Sequence, residues 1–250
     1  MKKYPFLISI SIILLVGLAG CGHQSNQQNH AKDKAAMSAN MANDSSSSAA
    51  SSSSSSQLSH YQYDVPKKAK QSKNYVASGN LTKKQQFSYD RFGTRQRLAK
   101  VADSPQPLKL GAMTYHVSRV RVLKNTAVTS IAKQAVQQVL NLREVPDTYY
   151  TFVVNYSVTN NHNFPIALNG VKAVKTNQNQ TLTPNNQLTD SSAGNKIASG
   201  KTASFSMTGY LYNYDTAPAS TLTINFGPTF NEKGTQVDSI SNKALTIDLN

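Results

Sequence analysis

The sequence predicts an all-β fold: an antiparallel two-sheet sandwich with one short inserted helix, preceded by a signal peptide and a disordered stalk. Three observations predict it. From Leu108 to the C-terminus, apolar residues recur at every second position in short runs. Turn clusters rich in Asn, Gly and Pro separate those runs. Upstream of residue 108 the composition changes, first to a greasy N-terminus and then to long polar, serine-rich and basic stretches. Short alternating strands divided by turn signals are the mark of a sandwich, because each strand buries only one of its two faces.

The strands follow in order. Val120 and Val122 against Arg119 and Arg121 give the first. Tyr150, Phe152, Val154, Tyr156 and Val158 alternate with Thr151, Val153, Asn155, Ser157 and Thr159, the longest such run. Val171 to Val174 makes a short central strand. Leu222, Ile224 and Phe226 alternate with Thr223 and Asn225, and Leu245, Ile247 and Leu249 with Thr246 and Asp248. Asn160-Asn161-His162-Asn163 and Pro184-Asn185-Asn186 are turns, because Asn tolerates turn geometry and Pro fixes φ. One segment has a different period. SIAKQAVQQVLN at 130–141 sets Ile131, Ala135, Val136, Val139 and Leu140 on one helical face and its Lys and Gln residues on the other.

The N-terminus reads MKKYPFLISISIILLVGLAGC. Lys2 and Lys3 precede an apolar run that ends near Ala19, too short for a spanning helix and right for an export signal (1–20). Leu18, Ala19, Gly20 and Cys21 resemble the lipobox of bacterial lipoproteins. Cys21 is the only cysteine in the chain, so it has no disulfide partner, and its thiol is the nucleophile that would take a diacylglyceryl group. The expected result is a protein tied by lipid on Cys21 to the outer face of the cytoplasmic membrane, facing the extracellular side.

Residues 21–60 are Ser-, Asn-, Gln- and Ala-rich and end near the run SSSSAASSSSSS, so they are expected to form a low-complexity tether. Residues 61–107 are expected to be mostly disordered, with one short helix opened by the capping-box pattern Thr82-Lys83-Lys84-Gln85. The basic character concentrates here. Residues 61–110 carry 11 Lys and Arg against three Asp, a net charge of +8. The folded domain is placed at 108–250.

Two stretches of that domain resemble a known family. YYTFVVNYSVTNNHNFPIALNGVKAV at 149–174 looks like the paired strands and Asn-rich turn of an immunoglobulin-like domain common in exported bacterial lipoproteins. IASGKTASFSMTGYLY at 197–212 and STLTINFG at 220–227 are similar to its later strands. The family is related to the mycobacterial immunoprotective extracellular protein, and its members are largely of unknown function. The resemblance implies an immunoglobulin-like sandwich and says almost nothing about activity.

The residues argue against an enzyme. Lipidation of Cys21 removes the only thiol nucleophile, and no G-x-S-x-G elbow surrounds a serine. The domain holds only two histidines, His116 on a strand and His162 in a turn, both expected to be solvated or hydrogen-bonded. Its acids are scattered, which argues against a spaced carboxylate pair and a clustered metal site. No catalytic residue, metal or cofactor is expected.

Two features are candidates for binding. Tyr210, Tyr212 and Tyr214 recur at every second residue and are expected on one face, either packed in the core or forming an exposed aromatic surface for a glycan or protein. Lys67, Lys68, Lys70, Lys73, Lys83, Lys84, Arg91, Arg95 and Arg97 either keep a linker soluble or contact anionic cell-wall polymers. Nucleic acid uses the same electrostatics but is not expected as a partner of an exported chain. The functional expectation is a membrane-anchored, non-catalytic interaction module that engages the membrane through its lipid and binds wall polymers or an envelope protein. The alternatives are a cell-wall hydrolase and a structural protein joining membrane to wall by charge.

Overall fold

The computed structural model describes residues 58–238 and 243–249. The predicted signal peptide, Cys21 and nearly all of the predicted tether lie outside the described residues.

The widest sheet runs in the order β1 (Phe87–Tyr89), β2 (Thr94–Ala102), β4 (Met113–Ala127), β5 (Thr148–Asn160), β11 (Thr202–Leu211) and β9 (Leu188–Asp190). The short β3 (Leu108–Leu110) pairs with the start of β4. Two four-stranded sheets complete the sandwich. One is β10 (Lys196–Ile197), β6 (Ile166–Leu168), β13 (Thr229–Phe230) and β14 (Gln236–Asp238); the other is β15 (Leu245–Asp248), β12 (Thr221–Phe226), β7 (Val171–Thr176) and β8 (Thr181–Leu182). Their strand ladders are antiparallel. Val120, Val122, Phe152, Val154, Tyr156 and Val158 of the wide sheet share one core with Ile166, Val174, Leu182, Leu222, Ile224 and Ile247 of the smaller sheets. The fold is therefore the expected all-β sandwich with a short helix.

Sidedness in β4 depends on a bulge. Val117 opposes Tyr156 and Arg119 opposes Asn155, leaving Ser118 as the extra residue. That one-residue insertion lets Val117 and Val120, three apart in sequence, both reach the core with no solvent exposure.

The segment 61–107, expected to be mostly disordered, is instead built into the sheet. β2 pairs with β4 from Thr94–Ala127 through Ala102–Val120. The chain before it is also tied down: Val76 N donates to Phe87 O at 2.8 Å, and Tyr63 N donates to Arg91 O at 2.7 Å. Leu81, Leu98 and Leu123 form their own buried cluster against Val76 and Val153 on the outer face of the wide sheet. The boundary at 108 thus moves upstream. The strand signal was hidden because β2 buries Thr94, Leu98 and Ala102, a four-residue spacing, and carries Arg95, Arg97 and Lys100 between them.

Two helical expectations also change. Thr82–Gln85 is a turn, not a helix: Gln86 Oε1 accepts from Thr82 N at 2.7 Å, Lys83 N at 2.9 Å and Thr82 Oγ1 at 3.1 Å. A one-turn helix, α1, lies instead at Lys67–Lys70. The inserted helix α2 spans Ser130–Leu140 as expected, but its buried residues are Ala132, Ala135 and Leu140. Val139, assigned to the buried face, is 60% exposed. Ala132 permits this rotation, since its small side chain allows close approach to the sheet.

Candidate functional site

Helix α2 roofs a cleft of about 200 Å³ on the outer face of the wide sheet. The helix is fixed at both ends. Thr129 Oγ1 accepts from Ala132 N at 2.9 Å, capping the first turn, and donates to Phe92 O at 2.7 Å, which ties the helix to the β1–β2 turn. At the other end Asn141 adopts the left-handed conformation at φ 50°, and its Nδ2 donates to Asn185 O at 2.9 Å. Gln187 N then donates to Leu140 O at 2.9 Å.

The floor of the cleft is neutral and polar. Gln96, Asn125, Thr151, Thr208 and Thr189 come from β2, β4, β5, β11 and β9, one from each successive strand. Asn125 is buried, and its Nδ2 donates to Thr151 Oγ1 at 2.9 Å and Leu123 O at 3.2 Å. The walls are apolar: Phe92, Ala135, Val136, Val139 and Leu140, with the Tyr149 ring at one side. Burial raises the Tyr149 hydroxyl pKa, so it stays protonated and can donate. Asp90 is the one carboxylate in the lining among the described residues, and its Oδ1 already accepts from Phe92 N at 2.9 Å and Thr94 N at 2.8 Å. Among the described residues, no histidine, serine or cysteine lines the cleft. Such a surface can hold a small neutral polar group against an apolar wall.

The other buried ionisable groups brace the fold. Asp190 Oδ1 accepts from the Tyr156 hydroxyl at 2.6 Å, and its Oδ2 from Val171 N and the Ser192 hydroxyl, both at 2.7 Å. Burial and the Asp190 charge both push the Tyr156 pKa up. His162, expected to be solvated or hydrogen-bonded in its turn, is half-buried and paired with Asp238 at 2.9 Å. His116 is exposed, as expected. No group of three or more potential metal ligands occurs among the described residues.

The predicted site residues divide as follows. Tyr210, Tyr212 and Tyr214 do not share a face, because β11 ends at Leu211 and the chain turns through Asn213 at φ 49°. Tyr210 is buried beside Tyr149, with ring centres 6.4 Å apart. Tyr214 packs on Tyr150 at 5.1 Å, and only Tyr212, 64% exposed, faces solvent. Lys67, Lys68 and Lys70 are exposed on α1, where Lys70 pairs with Asp64 at 3.0 Å. Lys73, Lys83 and Lys84 are exposed in turns, and Arg91 lies over the Phe92 ring at 4.5 Å. Arg95 and Arg97 lie on β2, which brings them beside Lys124 of β4, a residue the linear sequence does not associate with them.

No family model and no curated protein matches the chain. Among solved structures, it is similar to the X-ray structure of Northeast Structural Genomics Consortium target SoR45 at 9% identity. That match covers 55% of this chain and 86% of the other, with a TM-score of 0.33. It is similar also to a functionally unknown protein from Listeria monocytogenes EGD-e at 10% identity, over 52% of this chain and 73% of the other, with a TM-score of 0.36.

Proposed function

We propose that this chain is a lipid-anchored protein of the outer face of the cytoplasmic membrane whose sandwich is a non-catalytic binding module. The lipobox at Leu18–Cys21 and the export signal before it support the anchor. The resemblance of 149–174, 197–212 and 220–227 to the immunoglobulin-like family of exported lipoproteins supports the display role. The observation that carries the binding role is the cleft under α2, with five neutral amide and hydroxyl side chains facing an apolar helical wall. Its size, about 200 Å³, falls below the roughly 300–1,000 Å³ of drug-sized pockets, so it suits one sugar ring or one side chain of a larger partner.

The test is titration of the purified full chain with soluble cell-wall fragments, followed by NMR shifts of Gln96, Asn125, Thr151, Thr189 and Thr208. Val139→Arg places a bulky charge at the cleft mouth from an exposed position, so it should abolish those shifts without changing the melting temperature. Shifts retained in that variant, or fragments cut during the titration, would rule out this reading.

A further inference from the structure

Four cations from two strands share one face of the wide sheet. In an antiparallel ladder, directly opposed residues point to the same side. Arg97 opposes Lys124, Lys100 opposes Val122 and Arg95 opposes Thr126. The bulge between Leu98 and Lys100 keeps Lys100 on the side of Arg97, although the two are three residues apart. Arg97 and Lys124 are exposed, and Arg95 and Lys100 half-exposed.

Aromatic rings flank this strip in register. Phe87 opposes Arg97, Tyr89 opposes Arg95 and Tyr150 opposes Lys124, all on the same face. The Arg95 guanidinium lies over the Phe87 ring at 4.3 Å, and the Lys124 ammonium lies 5.8 Å from the Tyr150 ring centre. Cation–π contacts hold these side chains in place without cancelling their charge. The ion pairs of Lys70 with Asp64, Lys133 with Asp147 and His162 with Asp238 all lie elsewhere. Like charges set directly opposite one another in a sheet are unfavourable. An anion between Arg97 and Lys124 removes that cost.

We infer that the strip Arg95, Arg97, Lys100 and Lys124, with Phe87, Tyr89 and Tyr150 beside it, binds a polymer of phosphodiester-linked polyol or sugar units. Neighbouring strands stand about 4.8 Å apart and alternate residues along a strand about 6.7 Å apart, so the cations are spaced for adjacent oxygens of one phosphate and for the next phosphate along. Phe87 is buried beneath Arg95 and braces it, while the partly exposed Tyr89 and Tyr150 rings offer apolar faces to the units between phosphates. The inference rests on the proposed envelope location, but it uses a different face from the α2 cleft. It also separates the basic residues of the sequence into two groups: Arg95 and Arg97 belong to a built surface, and Lys67, Lys68 and Lys70 to an isolated turn of helix.

The test uses the full chain in detergent with synthetic poly(glycerol phosphate), measured by titration calorimetry at low salt. A neutral glycan of similar length, a single-stranded oligonucleotide and phosphatidylglycerol vesicles serve as competing probes. The triple variant Arg97→Gln, Lys100→Gln, Lys124→Gln should weaken polymer binding about tenfold or more, since three exposed charge contacts are lost together. The triple variant Lys67→Gln, Lys68→Gln, Lys70→Gln removes the same formal charge and should change it less than about twofold. Arg97→Lys should keep most of the binding, which guards against a folding artefact. Added salt should weaken binding of the parent as the Debye length falls from about 30 Å at 0.01 M to about 8 Å at 0.15 M. Equal losses in the two triple variants, no binding by the parent at low salt, or tighter binding of the oligonucleotide or vesicles than of the polymer would overturn the inference. Those outcomes leave the cleft untouched, because its binding is read from the shifts of Gln96, Asn125, Thr151, Thr189 and Thr208 and from their loss in Val139→Arg.

Discussion

His162 Nε2 and Asp238 Oδ2 lie 2.9 Å apart, joining the turn after β5 to the end of β14 across 76 residues of sequence. The same carboxylate accepts from the Thr229 hydroxyl at 2.7 Å and from Ala112 N at 3.3 Å. One side chain thus fastens the β3–β4 turn, the β5–β6 turn and the β13–β14 hairpin. Burial alone would raise the Asp238 pKa, but the hydrogen bonds from His162, Thr229 and Ala112 outweigh it and hold the group below the usual carboxylate range.

That depressed pKa makes stability acid-sensitive. The contribution of Asp238 is fully present above its unfolded pKa near 3.9 and is lost as pH falls through the lower folded value. Asp238→Ala should cost about 1–3 kcal/mol at neutral pH, because His162, Ala112 N and the buried Thr229 hydroxyl lose their acceptor. Denaturant melts should show the gap between parent and variant narrowing below about pH 4. A gap that stays constant to pH 2 would contradict this account.

Gly111 should be coupled to that site. It has φ +56°, and a Cβ there would fall 1.9 Å from Asp238 Oδ1. Gly111→Ala should destabilise by about 2 kcal/mol or more, from backbone strain plus displacement of the carboxylate. In Gly111→Ala, Asp238→Ala the combined loss should be smaller than the sum of the two single losses, as expected for groups in contact. Strict additivity in a double-mutant cycle would mean that the carboxylate moves aside freely.

Thr129 acts twice, as the cap of α2 and as the link from that helix to Phe92. Thr129→Ala should cost about 1–2 kcal/mol, and Thr129→Ser much less, since serine keeps the oxygen. Hydrogen exchange should quicken first in the amides of residues 130–134. Loss of protection spread evenly over the wide sheet would argue against a local role.

The domain boundary gives a fourth expectation. Limited proteolysis of the full chain should leave a resistant fragment that retains β1 and β2, starting upstream of Tyr63. A chain shortened to 108–250 should aggregate, because removing β2 exposes Leu123 and the free edge of β4. A soluble, cooperatively melting 108–250 fragment would show that β2 is dispensable.

β5, β12, β15 and α2 were legible because each carries an uninterrupted period: two along Phe152–Val158, Leu222–Phe226 and Leu245–Ile247, and about 3.6 along the helix. β2 was not, because a bulge and three cations break its alternation. Tyr210 to Tyr214 misled for the opposite reason, since the alternation continues past the point where the strand stops. The cleft floor was invisible from sequence: its five polar residues come from five strands, and each looks like an ordinary outward-facing position until the sheet assembles. The His162–Asp238 pair and the Arg97–Lys124 pair are likewise products of register rather than of spacing.

The surplus residue at Ser118 gives β4 slack that the neighbouring strand β5 lacks. Deleting Ser118 straightens the strand and leaves Val117 opposite Tyr156 and Arg119 opposite Asn155, so inside and outside are preserved. Deleting a single residue in the middle of β5, which has no spare position between Thr148 and Asn160, turns half of its core side chains to the outer face. Natural length variants of this sandwich should therefore gain or lose a residue at 118 and keep β5 at constant length.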